Sequence, residues 1–193
     1  CGGLLDVEHD LEALKDRSSA GWMQLFERRT RTTEWPYGSG VWGKKEWVCP
    51  QLDNENIVSM YEGHTNCFWA ERLGREIGVG DLWVKLCGNS HTGSFKDLGM
   101  TVLVSQVNQM ISEGAPLKAV ACASTGNTSA SAAAYSARSG TLKCVVLIPE
   151  GNIALGKLAQ AMIHRAQVIA IKGNFDEALT LVKEITSNYP VEL

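Results

Sequence analysis

The chain has 193 residues, of which 45% are hydrophobic and 20% charged, and its formal net charge is -3. A chain of this length forms one domain or two smaller lobes, and the composition is globular rather than disordered or collagen-like. The 18 lysines and arginines form no basic cluster, and no apolar run approaches the roughly 20 residues that cross a bilayer. We therefore expect no nucleic acid or membrane as partner, and favour a small molecule.

The cysteines are scattered along the chain. There are six, at positions 1, 49, 67, 87, 122 and 144. A chain of this size needs no disulfide staples, so reduced thiols in an intracellular compartment are expected, and we expect the protein to be cytoplasmic. No two cysteines have the spacing of a metal-ligand pair, and no metal is assigned. The chain opens on Cys1 rather than Met, which suggests that an upstream segment precedes it.

The first third of the chain is rich in tryptophan and irregular in pattern, with Trp22, Trp35, Trp42 and Trp47. We interpret residues 1–63 as a segment that wraps around the rest of the protein. One amphipathic helix is predicted there, from about residue 6 to residue 14, because apolar residues recur at helical spacing and acidic residues stand near its start.

Beyond residue 65 the pattern alternates between helices and short apolar strands. Helices are predicted over 68–77, 95–113, 128–138, 154–165 and 175–187, and strands over 82–86, 119–123, 144–148, 167–171 and from 191 onward. Such alternation is typical of parallel βαβ units with right-handed crossovers. The predicted fold class is therefore α/β, with an open, twisted parallel sheet flanked by helices.

A first candidate loop, residues 88–97, reads Gly-Asn-Ser-His-Thr-Gly-Ser-Phe-Lys-Asp and connects a predicted strand to a predicted helix. Parallel α/β sheets carry ligand sites at such connections. Ser94 and Asp97 have capping-box spacing, which predicts Lys96 in the first helical turn. The helix N-terminus and partial burial disfavour an ammonium ion there, so the amine can attack an aldehyde. The alternative is a plain helix cap with a solvated lysine; the tight glycine-containing turn argues against it.

A second candidate loop, residues 123–129, reads Ala-Ser-Thr-Gly-Asn-Thr-Ser and again follows a strand and opens a helix. Its hydroxyls, Gly126 and the helix N-terminal N–H groups can bind a carboxylate or phosphate. Asn127 offers an amide that can hydrogen-bond a phenolic oxygen. Taken alone, the loop is explained equally well by ordinary N-capping. Two such loops in consecutive strand–helix units favour a ligand site.

The motifs Ser94-Phe95-Lys96-Asp97 and Ser124-Thr125-Gly126-Asn127 resemble the paired loops of the fold-type-II pyridoxal-phosphate enzymes, the tryptophan synthase β-like family. The likeness is closer still to the threonine synthases and runs along essentially the whole chain. The segments that carry it are Gly-Gly-Leu-Leu-Asp-Val (2–7), Ser-Gly-Val-Trp (39–42), Glu-Gly-His-Thr (62–65), His-Thr-Gly-Ser-Phe-Lys-Asp-Leu-Gly-Met (91–100) and Ile-Pro-Glu-Gly (148–151).

The resemblance implies specific roles for residues of both loops. Lys96 is implied to bind pyridoxal 5'-phosphate as a Schiff base and then to move protons, while the cofactor serves as electron sink. Asn127 is implied to hydrogen-bond the pyridine 3-oxygen, and Phe95 to belong to the cofactor site. The implied substrate residues are Ser124, Thr125 and Thr128 near the carboxylate, and Ser90, His91 and Thr92 at the mouth.

The implied reaction converts O-phospho-L-homoserine and water to L-threonine and phosphate, which makes the enzyme a phosphate-eliminating carbon–oxygen lyase of threonine biosynthesis. The stretch before the Lys96 helix also resembles the plant-type enzyme that S-adenosylmethionine activates, so that compound is a candidate regulator. A homodimer is expected for a full-length protein.

Threonine synthases continue well beyond the length of this chain, and their glycine-rich loop for the cofactor phosphate has no counterpart here. We therefore expect an inactive fragment. Residues 1–63 would be the wrapping segment, 64–100 the first part of the large cofactor-binding lobe, and 101–193 a small α/β lobe, with the rest of the large lobe absent. In relatives with a leading Cys-x-x-Cys-Gly-Gly ribbon, Cys1 would be a zinc ligand, but no second Cys-x-x-Cys occurs.

Two other functions are consistent with the same loops. Another fold-type-II enzyme, such as a threonine dehydratase or a β-replacing synthase, would share Lys96 and the second loop, although the tryptophan-rich start argues against it. A non-catalytic truncated fragment or interaction module is the alternative from a different class.

Overall fold

A computed structural model of the protein describes residues 6–30, 32–151 and 155–192. Cys1 and the predicted start of the helix at Ala154 lie outside these residues. The helices are α1 (Leu11–Leu14), α2 (Ser19–Arg29), α3 (Lys45–Val48), α4 (Glu71–Ile77), α5 (Lys96–Ser112), α6 (Asn127–Ser139), α7 (Leu155–Ile163) and α8 (Phe175–Asn188). The strands are β1 (Cys67–Trp69), β2 (Trp83–Lys85), β3 (Ala119–Ala123), β4 (Lys143–Pro149), β5 (Gln167–Ile171) and β6 (Val191–Glu192).

The main sheet has four parallel strands in the order β5-β4-β3-β6. Its strands alternate with α6, α7 and α8, which confirms the predicted α/β class. None of the helices in the described part of the chain is long and apolar enough to cross a membrane.

Helices cover both faces of this sheet. Alternate side chains of a strand point to opposite faces, and apolar side chains on both faces are buried against helices. On one face, Val146 of β4 belongs to a core with Val104 of α5 and Ala133 of α6. On the other face, Leu147 packs with Val182 of α8. The small side chains of the alanine-rich α6 allow it to pack closely on the strands, and Ala130 and Ala133 are fully buried. The start of α6 is thereby fixed just beyond the carboxyl end of β3, and α5 packs beside α6.

The tryptophan-rich segment packs against α5 through a chain of polar contacts. Trp42 is fully buried, and its indole N–H donates to the Thr101 hydroxyl at 2.8 Å. That hydroxyl in turn donates to the Val58 carbonyl at 2.7 Å, and the Val58 N–H donates to Ser105 at 2.8 Å. Buried polar groups are costly unless they are paired. These pairs therefore fix the segment's register along α5.

Glu62 joins the same segment to α6. Its buried carboxyl accepts hydrogen bonds from the hydroxyls of Ser39 (2.5 Å), Ser59 (2.9 Å) and Tyr135 (2.6 Å). Burial and the neighbouring Glu62 raise the pKa of Tyr135, so this phenol stays protonated and donates. Gly40 crosses the chain at Gly63 so closely that a Cβ at Gly40 would meet the backbone there. This crossing explains the glycines of the motifs at 39–42 and 62–65.

Two predictions of secondary structure are wrong. Residues 68–77 were expected to form one helix, but β1 occupies the start of that range and pairs with β2, beyond α4, in a separate two-stranded antiparallel sheet. The strand before Lys96 thus lies outside the parallel sheet, in a separate two-stranded sheet. Of the helix predicted over residues 6–14, only the four residues of α1 are helical. The longer helix α2, which follows it, was not predicted.

Candidate active site

Lys96 is the first residue of α5 and is half-buried. The prediction that it lies in the first helical turn is confirmed. Its amine stands 5.0 Å from the centroid of the Phe95 ring, which is 56% exposed. Within the described ranges, no carboxylate oxygen lies within 4 Å of this amine. The amine is therefore not engaged by an ion pair there.

The predicted capping box between Ser94 and Asp97 is wrong. Ser94 accepts a hydrogen bond from the Lys96 N–H through its hydroxyl, at 3.3 Å, but Asp97 does not turn back toward Ser94. The Asp97 carboxyl is fully buried and accepts from the Thr92 N–H (2.9 Å), the Thr92 hydroxyl (2.5 Å) and the Ser131 hydroxyl (2.6 Å). A buried carboxyl with three donors outweighs a single bond to a backbone N–H.

Thr92 also contacts α7. Its carbonyl accepts hydrogen bonds from the Lys157 amine at 3.3 Å and from the Gln160 amide at 3.5 Å. Thr92 is buried, and its hydroxyl already donates to Asp97. This one residue therefore connects the lysine loop to α5 and α7, and its predicted contact with substrate stays a prediction.

The remaining residues at the predicted mouth lie on the outer part of the lysine loop. Ser90 donates to the Ser94 carbonyl at 2.8 Å, which closes the loop. His91 is exposed, and its ring centroid is 5.9 Å from that of His164, just beyond the end of α7. Burial, together with the nearby His91, lowers the pKa of His164. The predicted role of Ser90 and His91 in substrate binding stays a prediction.

The second loop opens α6 at Asn127 and is shaped mainly by its own residues. The Ser124 hydroxyl accepts from the N–H groups of Gly126 (3.2 Å) and Ser129 (3.4 Å). The Asn127 side chain is exposed. The hydroxyls of Thr125 and Thr128 make no hydrogen bond within the part of the chain that the structure describes. The loop therefore presents an amide and two hydroxyls that are free to bind a ligand.

The structure brings the two loops together. Lys96 and Asn127 are the first residues of α5 and α6, which pack side by side, and the Asp97–Ser131 hydrogen bond joins these helices one turn from Asn127. Sequence reasoning missed Asp97 and Ser131 as residues of the site. Asp97 stands in the conspicuous Ser-Phe-Lys-Asp motif, but it was interpreted as a helix cap. Ser131 differs from its neighbours only in being a polar residue in the alanine-rich α6.

Comparison with known proteins identifies the family. The family described as pyridoxal-phosphate dependent enzymes matches residues 58–191. The chain belongs to this family. Its cofactor is pyridoxal phosphate, as the sequence motifs indicated.

Curated relatives with high identity are threonine synthases. The chain is 50% identical over all of its length to threonine synthase 2, chloroplastic, of Arabidopsis thaliana, and covers 37% of that protein. It is 49% identical over 96% of its length to threonine synthase of Methanocaldococcus jannaschii, and covers 41% of it. The predicted likeness to the N-terminal portion of threonine synthases is confirmed. The chain spans about two fifths of the length of these relatives.

Solved structures show the same fold at low identity. Escherichia coli diaminopropionate ammonia lyase, in complex with an aminoacrylate-PLP azomethine intermediate, superposes with a TM-score of 0.60 at 18% identity. The match covers 69% of this chain and 37% of that one. A pyridoxal 5'-phosphate-dependent aspartate racemase gives 0.53 at 22% identity, over 67% of this chain and 38% of that one. These matches support the fold-type-II assignment.

The residues present fit one side of pyridoxal phosphate. The cofactor requires an amine that can bond to its aldehyde carbon and a hydrogen-bond donor for the oxygen on its ring. The structure provides the Lys96 amine and, at the start of the neighbouring helix, the exposed Asn127 amide. A Cβ at Gly126 would meet nothing within 4 Å, so the space in front of the second loop is open.

Proposed function

We propose that the chain forms the lysine side of the active site of a threonine synthase, which converts O-phospho-L-homoserine and water to L-threonine and phosphate. The observation that carries the proposal is the position of Lys96 and Asn127 at the starts of two helices joined by Asp97 and Ser131. The identity of 50% to the Arabidopsis protein along the whole chain supports this substrate over others.

Lys96 is proposed to hold the cofactor and then to act as the acid and base. Its amine takes a proton from the substrate α carbon and returns protons along the substrate chain. When bound, pyridoxal phosphate withdraws electrons from the carbons that lose these protons. Asn127 donates to the ring 3-oxygen, and the exposed Phe95 ring lies beside the amine.

The second loop is proposed to bind the substrate carboxylate. The hydroxyls of Ser124, Thr125 and Thr128 surround the N-terminus of α6, where backbone N–H groups and the helix dipole favour an anion. Ser90, His91 and Thr92 are proposed to line the mouth. Because the Thr92 hydroxyl donates to Asp97, Thr92 contributes to the shape of the mouth.

Further proposals concern the whole protein. We propose a wrapping segment at 1–63, a part of the large lobe at 64–100 and a small lobe at 101–193. We also propose a homodimer, S-adenosylmethionine as regulator, and a cytoplasmic or plastid location. The 193-residue chain alone is proposed to lack turnover, because it spans about two fifths of the length of its relatives.

The first stage of the test locates the reactive lysine. The chain is incubated with pyridoxal phosphate, reduced with borohydride and digested, and the modified peptide is identified by mass spectrometry. We expect the adduct on Lys96 and its loss in Lys96→Arg. Lys118→Arg is the matched control, since Lys118 is an exposed lysine just before β3. An adduct spread evenly over the surface lysines, both in this chain and in the chimaera described below, would show that Lys96 is not the cofactor lysine.

The second stage tests the reaction. A chimaera is made in which this chain replaces the matching residues of the Arabidopsis protein, and phosphate release from O-phospho-L-homoserine is measured. We expect release by the chimaera and none by its Lys96→Ala variant. A chimaera that folds and binds the cofactor but instead deaminates L-threonine would favour the dehydratase alternative.

A further inference from the structure

Asp97 is a fully buried carboxyl whose hydrogen-bond partners come from two different parts of the site. Two of its three donors, the N–H and hydroxyl of Thr92, belong to the lysine loop. The third, the Ser131 hydroxyl, belongs to α6. Within the described residues, no lysine, arginine or histidine nitrogen lies within 4 Å of this carboxyl. Its partners are thus three neutral donors in fixed positions, aided by the N-terminal dipole of α5.

The position of this carboxyl matters because of what Lys96 and Asn127 bind. The aldehyde carbon and the phenolic oxygen of pyridoxal phosphate occupy adjacent positions on one rigid ring. Two protein groups that bind substituents on adjacent ring atoms must be held at a set separation, and small errors in this separation weaken binding and catalysis. Asp97 follows Lys96 directly in α5, and Ser131 lies one turn after Asn127 in α6.

We propose that Asp97 is a positioning residue that sets the separation of Lys96 from Asn127, by binding Thr92 on one side and Ser131 on the other. This inference rests on the proposed function, in which Lys96 and Asn127 engage the same cofactor ring. Asp97 acts through its neighbours and touches neither cofactor nor substrate.

The contacts of Thr92 with α7 strengthen the arrangement. Because its carbonyl accepts from Lys157 and Gln160, the lysine loop is held from α7 as well as from Asp97. Loss of the Ser131 bond alone leaves these contacts in place. Ser131→Ala therefore isolates the link between the two helices, while the lysine loop keeps its other supports.

The test uses Ser131→Ala with Ser136→Ala as its matched control. Both serines are buried in α6, but within the described residues no hydrogen bond joins the Ser136 hydroxyl to Asp97 or to the lysine loop. Cofactor affinity is measured in the chimaera with the Arabidopsis protein, by titration of the absorbance of pyridoxal phosphate, and the adduct at Lys96 is confirmed by borohydride reduction. We expect Ser131→Ala to weaken affinity about tenfold, near the upper end of the range for one hydrogen bond, and Ser136→Ala to change it less than about twofold.

A double-mutant cycle separates positioning from a general structural role. If Ser131 acts by placing Asn127 relative to Lys96, its substitution should matter little once the Asn127 amide is gone. We expect Ser131→Ala in an Asn127→Ala background to weaken affinity by less than about twofold. Amide hydrogen exchange gives an independent readout: the Thr92 N–H should stay protected in Ser131→Ala and lose protection in Asp97→Ala.

The outcomes distinguish this inference from the proposed function. Cofactor affinity that Ser131→Ala leaves unchanged, or effects of Ser131→Ala and Asn127→Ala on affinity that simply add, would overturn the inference alone. An unsubstituted chimaera that takes up no pyridoxal phosphate at Lys96 would overturn the proposed function and the inference together.

Discussion

The two loops of the site are held in place in different ways. The second loop is shaped locally, since Ser124 accepts from the N–H groups of Gly126 and Ser129, both within five residues. The lysine loop depends on distant parts of the chain. Its central residue Thr92 contacts α7 and, through Asp97, the Ser131 hydroxyl of α6.

The two loops should therefore differ in how far their shape depends on the rest of the fold. A locally shaped loop keeps its form as long as its own helix is folded, so it can present the same donors in many related proteins. A loop held by tertiary contacts takes its form only when the surrounding helices are packed. The placement of Lys96 should therefore be more sensitive to distant substitutions than the shape of the second loop.

The largest effect is expected for Asp97→Ala. The substitution leaves three buried donors without an acceptor, and each unpaired donor costs about 1–3 kcal/mol, so a loss of about 3 kcal/mol or more is expected. The free energy of unfolding in urea measures it. Asp16→Ala, at an exposed position, is the control. If both variants unfolded at the same urea concentration as the original chain, the proposed dependence of the lysine loop on Asp97 would be wrong.

A smaller, local effect is expected for Ser124→Ala. Loss of a capping hydroxyl typically costs about 1 kcal/mol, and the groups affected are the N–H groups of Gly126 and Ser129. Hydrogen exchange should increase at the second loop and stay unchanged at Thr92. Ser187→Ala, an exposed serine near the end of α8, should change neither. Increased exchange at Thr92 in Ser124→Ala would show that the two loops are not independent.

The smallest effect concerns pH and the contact between His91 and His164. Because the pKa of His164 in the folded protein is lowered from its ordinary value of 6.5, the unfolded chain takes up a proton first as the pH falls. Its contribution to stability is therefore fully present above about pH 6.5 and is lost as the pH falls through the lowered pKa.

Melting temperatures at about pH 7.5 and pH 5.5, on either side of the ordinary histidine pKa, measure this contribution. The original chain should lose slightly more stability on acidification than His164→Gln does. His9→Gln, at an exposed position, should behave like the original chain. The pKa of His64 is also lowered, by burial and by Lys44 and Lys85, but that contribution is common to all three proteins and cancels. A larger acid loss in His164→Gln would contradict the assigned sign.

Much of the fold followed from local patterns. The parallel strands β3, β4 and β5, and the helices between them, were predicted to within a few residues. Each of these strands is a short apolar run bounded by glycine or polar residues, and this pattern shows in the sequence. The pairing of β1 with β2 was missed because whether two short strands pair with each other or join a sheet depends on contacts that neither strand encodes alone.

The site divides in the same way. The sequence by itself determined the family, the two strand-to-helix loops, the position of Lys96 in a first helical turn and that of Asn127 at the start of the next helix, since these are local motifs. Only the tertiary structure decided that Asp97 faces Thr92 and Ser131 rather than capping its own helix. The physical reason is that the partners of a buried carboxyl are chosen by which donors the packed helices bring within reach, and Ser131 lies 34 residues away in sequence.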